Sequence, residues 1–238
     1  MSRPTWRRSR AAAVTAPLRP AYRRRPRLLW VAWRGQRAQA AAIAGLLVLY
    51  AAAVAAERLE PGLAGLSFQL AGFLAGAICL IWGAPLIARE FEAGTHKLAW
   101  TQSVSRGRWL LAVVAVAAAG AVAATAVLAG MLGWLLPEVG GEVMAWPYYE
   151  SHGPVPFGRS LLALALGVAL GAATRHTRIA MPLSVLLVGA GQLVARALRA
   201  RSELPFWPLQ WAETAVHLVL AMALVGVAYV VIRARARF

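Results

Sequence analysis

Six apolar segments, each long enough to cross a lipid bilayer, dominate this sequence of 238 residues. A helix needs about 20 apolar residues to cross the hydrocarbon core. Hydrophobic residues make up 60% of the chain and charged residues only 14%, a composition that excludes an ordinary soluble domain. The sequence therefore predicts an all-α, polytopic membrane protein with about six transmembrane helices. We place the spans at about residues 38–56, 64–86, 109–136, 158–174, 179–196 and 212–232.

The basic residues are divided unequally between the two sides of the membrane that these spans imply. If the chain crosses at every span, one side carries 20 of the 25 Lys and Arg residues and the other side carries five. The richest segment holds eleven Arg residues and ends at Arg37, just before the first span. The positive-inside rule therefore predicts that both termini are cytoplasmic. The bias is weakest at residues 196–201, where three Arg fall on the outer side. The charge distribution therefore gives the least support for the topology of the last two spans.

The N-terminal segment is expected to lie at the membrane surface. Residues 1–26 are rich in Arg and Pro without apolar periodicity, which predicts a disordered cytoplasmic tail before a transmembrane domain at 27–238. Arginines in this position attract anionic lipids, and no nucleic acid partner is expected. Residues 27–37 predict a short amphipathic helix in the interface, with Trp30 and Trp33 at head-group depth. The alternative is an aromatic belt that flanks the first span.

A short polar segment, residues 87–108, lies between the second and third spans and is rich enough in charged groups to bind a partner. Pro85 is expected to break or end the second helix, because proline lacks a backbone donor. Gly94 and Thr95 predict a turn with a helix-capping hydroxyl, followed by a short helix from His96. A short helix lying across the membrane face suits docking into a groove on a soluble protein.

The sequence around this segment resembles the cytoplasmic loop of actinobacterial ABC-transporter permeases of the type-2 exporter class. The resemblance rests on GAPLIAREFEAGTH at residues 83–96 and TQSVSRGRW at 101–109, with weaker agreement at 30–34 and 165–181. It implies a permease half that pairs with a second copy or a homologue, and a cytosolic ABC ATPase subunit that docks on the coupling loop 87–108. The residues assigned by this resemblance to ATPase coupling are Arg89, Glu90, Glu92, Gly94, Thr95 and His96. Spacing alone leaves open a solvated loop in which Arg89 and Lys97 pair with the two Glu.

The chain is not expected to be an enzyme, because its four histidines are scattered and form no pattern typical of a nucleophile–base pair or a metal site. It is also not expected to hydrolyse ATP by the P-loop route. A phosphate-binding loop of the form Gly-x4-Gly-Lys-Ser/Thr needs a lysine, and the single lysine, Lys97, has no such context. We expect a permease subunit of an ATP-driven exporter in the bacterial plasma (inner) membrane. No cofactor is expected in this chain, and ATP and Mg would be bound by the partner ATPase. The alternative is a non-transporting scaffold, immunity or sensor subunit built on the same fold.

Several polar residues within or beside the spans suggest further roles. Interhelical hydrogen bonding is the commoner use of polar groups in spans. Glu213 precedes His217 by four residues, which allows either a proton relay or a helix-end carboxylate beside a structural histidine. The pair Gly167 and Gly171 predicts a close helix contact without identifying the partner. Candidates for the translocation path are Gln69, Thr125, Gln192 and His217. The aromatics of the outer loop 137–157 predict interfacial anchors, or alternatively a gate.

Overall fold

The computed structural model describes residues 28–60, 66–94, 105–135, 144 and 148–234. Six stretches of helix in these ranges are long and apolar enough to cross a membrane, which confirms the predicted all-α polytopic fold. The predicted tail 1–26, Thr95 and His96 lie outside the described residues. The elements are α1 (Leu28–Leu59), α2 (Leu66–Ala71), α3 (Leu74–Ala77), a π-helical turn (Ile78–Gly83), α4 (Ala84–Glu92), α5 (Arg106–Leu135), α6 (Tyr148–Ser151), α7 (Val155–Thr174), α8 (Thr177–Arg199) and α9 (Phe206–Ala234).

The second span does not end at Pro85, contrary to the prediction. It continues through α4 to Glu92, because the π-helical turn comes immediately before the proline. In this turn the N–H of Ala84 donates to the carbonyl of Cys79, five residues earlier. Pro85 then falls in the first turn of α4, where a missing backbone donor is tolerated. The polar residues that follow it therefore remain on a helix instead of entering a loop.

The segment predicted to form a separate interfacial helix is the start of α1, which runs unbroken from Leu28 to Leu59. The side chain of Gln36 is buried and ties this part of α1 to two other helices. Its Nε2 donates to the carbonyl oxygen of Val113 at 3.0 Å, and its Oε1 accepts a hydrogen bond from Trp82 Nε1 at 2.8 Å. These contacts hold the first turns of α1 against α5 and the π-helical turn. The start of α1 is therefore part of the helix bundle.

We expect Gln36→Leu to destabilise the protein by about 1–3 kcal/mol, because it leaves the buried Trp82 N–H without its acceptor. Gln39→Leu is the matched control, since Gln39 is one turn away in α1 and its buried Oε1 has no hydrogen-bond partner within the described part of the chain. That control should be neutral or stabilising. Chemical unfolding in detergent measures both variants, and equal losses would contradict the role of this network.

Helix α7 lies at the centre of the bundle, where it packs against α9, α4, the π-helical turn, α8 and α5. Its glycines permit the closest of these contacts. A Cβ atom on Gly167 would lie 2.5 Å from the backbone nitrogen of Ala84, and one on Gly171 would lie 2.6 Å from the Ala84 carbonyl oxygen. The predicted glycine packing face is thus used within the chain, against the second span.

Helices α8 and α9 both pack on α7 but make few contacts with each other. Most of their apolar side chains are exposed, among them Leu186 and Val219. The helices alternate in direction, which gives the bundle two ends. We call the end with Leu28, Glu92, Arg106 and Ala234 the terminal end, and the end with Leu59, residues 148–155 and residues 199–206 the distal end.

Candidate functional site

At the terminal end, the end of the second span contacts the turn between α7 and α8 through hydrogen bonds. Glu92, the last residue of α4, accepts hydrogen bonds from the Thr177 backbone N–H at 2.7 Å and from the Thr177 hydroxyl at 2.9 Å. Thr177 is the first residue of α8, so the carboxylate caps that helix, whose amides and dipole favour a negative charge. Beside this contact, the guanidinium of Arg175 lies 5.2 Å from the centre of the Phe91 ring. We call Phe91, Glu92, Arg175 and Thr177 the terminal joint.

The residues assigned to ATPase coupling occupy different positions relative to this joint. Arg89 is exposed on α4 and Glu90 is partly exposed next to it. Gly94 has a φ of 68°, in the left-handed region, consistent with the turn predicted there. The structure adds Arg175 and Thr177, which lie more than 80 residues after Phe91 and Glu92 along the chain. Their proximity to Glu92 was not predicted from the sequence, and the coupling role of the site stays a prediction.

At the distal end, a buried carboxylate binds three arginines from two helices. Glu150, on the short helix α6, contacts Arg159 Nη1 of α7 at 2.9 Å. It also contacts Arg196 Nε at 2.7 Å and Arg199 Nη2 at 2.6 Å, both on α8. Helix α9 completes the group, because Glu213 lies 3.5 Å from Arg199 Nε. We call these five residues the distal ion cluster.

Neighbouring hydrogen bonds fix α6 in place beside the cluster. The Tyr149 hydroxyl donates to Glu213 at 3.2 Å, while its backbone carbonyl accepts from Gln210 Nε2 at 2.9 Å. The same Gln210 side chain accepts from the Val155 N–H at 3.1 Å, so it links α6, α7 and α9. Burial and the nearby charge of Glu213 raise the pKa of the Tyr149 phenol, which keeps it protonated as a donor. Tyr149 is therefore an interior residue and not an interfacial anchor, although it comes from the predicted outer loop.

The environment of Glu150 predicts a characteristic dependence of stability on pH. Burial alone would raise the pKa of this carboxyl, but the hydrogen bond from Arg196, the charge of Arg159 and the hydrogen bond from Arg199 outweigh it and lower the pKa from 4.5 to about 2. Because the folded protein has the lower pKa, the stabilisation is complete above pH 4.5 and is lost as the pH falls towards 2. The difference corresponds to about 3 kcal/mol.

We therefore expect the unfolding temperature in detergent to be insensitive to this group from pH 8 to pH 5 and to fall below pH 4.5. In Glu150→Gln, which cannot titrate at this position, that part of the acid-induced loss should disappear. An identical acid profile in the two proteins would contradict the assignment.

A groove of about 520 Å³ lies between α8 and α9, with α7 as its floor and the distal ion cluster at one end. It brings together two of the predicted path residues, Gln192 and His217. Thr125 lies elsewhere, since its hydroxyl donates to the Ala121 carbonyl and bonds Ser160 of α7, both at 2.9 Å. Gln69 is exposed on α2. The four residues therefore do not form a single path in this structure.

The geometry does not support a direct proton relay between Glu213 and His217. His217 Nε2 lies 4.0 Å from Glu213 Oε1, which is too far for a hydrogen bond. Both side chains line the groove, and Glu213 is already held by Tyr149 and Arg199. This pair is better described as part of the polar end of the groove.

Residues 51–199, more than half of the chain, match the family described as ABC-2 membrane transporter related. The matched region contains the π-helical turn, the terminal joint and most of the distal ion cluster. No curated protein and no solved structure matches the chain.

Proposed function

Because the chain belongs to the ABC-2 membrane transporter related family, we propose that it is the permease subunit of an ATP-driven ABC exporter. It is a multi-pass membrane protein with six helices of spanning length. In this proposal a separate cytosolic ATPase binds ATP and Mg and drives the permease. A second copy or a homologue completes the translocation path in the bacterial plasma membrane.

The distribution of charge supports a cytoplasmic position for the terminal end. In sequence, most of the basic residues adjoin the helix boundaries that lie at that end. Three of the five arginines assigned to the opposite side are Arg159, Arg196 and Arg199, which are paired with Glu150 and Glu213 in the distal ion cluster. The basic residues at the terminal end still outnumber those on the opposite side, and the folded bundle provides these three arginines with anionic partners.

The observation that carries the proposal is the terminal joint. A docked ATPase that displaces Glu92 also displaces Thr177, because the carboxylate holds the first residue of α8 through two hydrogen bonds. Helix α8 then transmits the displacement to the distal end, where Arg196 and Arg199 bind Glu150. Since α8 is also one wall of the groove, a movement at the ATPase site changes the width of the groove.

Two substitutions test whether Glu92 contacts the ATPase directly. Glu92→Ala should lower recovery of the ATPase with the tagged permease by about tenfold, because it removes a charged contact with the ATPase. Thr177→Val removes one hydrogen bond of the joint but leaves the carboxylate in place, so recovery should stay near that of the wild-type protein. Glu203→Ala, an exposed acidic residue at the distal end, controls for a general loss of negative charge.

The pattern of losses identifies the role of the joint. Equal losses in Glu92→Ala and Thr177→Val would mean that Glu92 acts only by fixing the start of α8. Unchanged recovery in Glu92→Ala, with the protein still inserted in the membrane, would remove this residue from coupling.

A further inference from the structure

The groove between α8 and α9 is apolar along most of its length. Leu162 and Leu166 of α7 form its floor, while Leu187 of α8 and Val216 and Leu220 of α9 contribute to its sides. Because α8 and α9 barely contact each other, the groove lies between two helices that are both largely exposed. In a membrane-spanning bundle such exposed apolar surfaces face lipid or another protein within the bilayer, so the molecules that can enter sideways are those of the membrane.

The length of the groove matches one leaflet of a bilayer. From Leu187 to Arg199, both of which line it, α8 rises by about 18 Å at 1.5 Å per residue. Half of a hydrocarbon core is about 15 Å. The polar end, with Arg159 and Glu213, lies at the distal end of the spans, where the head groups of that leaflet are located. An extended acyl chain with its head group at this end would lie parallel to the acyl chains of the surrounding lipids.

The charge at the polar end favours a negative head group. The distal ion cluster contains three arginines and two glutamates, an excess of one positive charge. The nearby Arg201 and Glu203 are exposed and offset each other. Arg196 is the most exposed of the three arginines, with 39% of its side chain accessible compared with 14% for Arg199. Arg199 lines the groove, whereas Arg196 lies outside the lining and shares the Glu150 carboxylate with Arg199. A phosphate at the rim of the groove, beside Arg199, could therefore also be reached by the exposed side chain of Arg196.

We propose that the groove binds one phospholipid with an anionic head group from the distal leaflet. An acyl chain lies between α8 and α9, and the phosphate lies beside Arg196 and Arg199. The site requires only that the bundle is inserted in a membrane, so it is independent of whether an ATPase drives the chain. It also lies at the opposite end of the bundle from Leu28, where α1 begins.

Two glycines of α8 provide a matched pair of variants for the apolar part of the groove. Gly191 lines the groove and Gly189 does not, yet a Cβ atom on either residue would meet nothing within 4 Å. Gly191→Phe should therefore fill the groove without a clash in the bundle, and Gly189→Phe should place the same ring outside it. The full-length protein, purified in detergent, is titrated with phosphatidylglycerol or phosphatidylcholine, and bound lipid is counted by native mass spectrometry. We expect the wild-type protein and Gly189→Phe to retain one phosphatidylglycerol and Gly191→Phe to lose it.

A second pair of variants tests the charge and does not depend on the folding of the phenylalanine variants. Arg196→Gln should weaken phosphatidylglycerol binding about fivefold, the contribution of one arginine near an anionic head group. Arg201→Gln, at an exposed position outside the distal ion cluster, should leave the affinity for phosphatidylglycerol unchanged. Equal occupancy in Gly191→Phe and Gly189→Phe, equal affinity in the two arginine variants, or no preference of the wild-type protein for phosphatidylglycerol would each overturn the proposal.

Discussion

Replacing Glu150 by alanine should destabilise the protein by about 3–5 kcal/mol, because it leaves three arginines at a largely buried site without their shared anion. The carboxylate is buried and lies within 2.9 Å of Arg159, Arg196 and Arg199. Its removal would separate α7 and α8 at the distal end, where α6 now holds them together. Unfolding by denaturant in detergent measures the loss.

Glu203→Ala is the control for this experiment, since Glu203 is exposed in the connection between α8 and α9. Its effect should stay within about 0.5 kcal/mol, as is usual for surface substitutions. A loss for Glu150→Ala no larger than that of the control would show that the cluster does not hold the distal end together.

Replacing Gly167 by leucine is the second change with a large expected effect, a loss of about 3 kcal/mol from overpacking. The added Cβ atom would lie 2.5 Å from the nitrogen of Ala84 and 2.7 Å from the carbonyl carbon of Gly83. Both are backbone atoms, so the clash cannot be relieved by a side-chain rotation, and α7 must move away from the second span. The same unfolding assay in detergent measures the loss.

Gly130→Leu in α5 is the matched control, because a Cβ atom there would meet nothing within 4 Å. This variant should be neutral or gain up to about 1 kcal/mol, since leucine favours helix more than glycine does. Similar stability of the two variants would contradict the close packing of α7 on α4.

The spans were predictable because membrane thickness sets a length that apolar segments reveal directly. The boundaries of the spans were less predictable, because helices continue beyond the apolar residues into polar sequence, as at Arg89 and Glu92. The path through Pro85 depends on the π-helical turn before it, and this change in hydrogen bonding has no local signal in the residue types. The lengths of the apolar runs therefore predicted the helices but not where they end.

The distal ion cluster could not be predicted from local patterns, because its partners are far apart along the chain. Glu150 bonds arginines that are 9, 46 and 49 residues away. One signal was present in the sequence, namely the three arginines at 196–201 that oppose the overall charge bias. Two of these, Arg196 and Arg199, belong to the cluster, but their positions in the sequence do not identify Glu150 as their partner.

The positions of the candidate path residues in the bundle could not be predicted from the sequence either. A polar residue within a span indicates a hydrogen bond or a cavity, but the sequence does not indicate which helix faces it. Thr125 bonds Ser160 in the interior, whereas Gln192 and His217 line the groove. The groove itself results from α8 and α9 packing on α7 with little contact between them, a tertiary arrangement that single-helix patterns do not encode.

The proposal of an ATP-driven permease is tested most directly by purifying the tagged chain from native membranes in mild detergent and identifying the proteins that accompany it. Reproducible recovery of a P-loop ATPase, lost when Glu92 is replaced by alanine but retained in Glu203→Ala, is the predicted result. Isolation of the intact, correctly inserted chain without any ATPase would contradict the account and favour a membrane scaffold or sensor subunit built on the same fold.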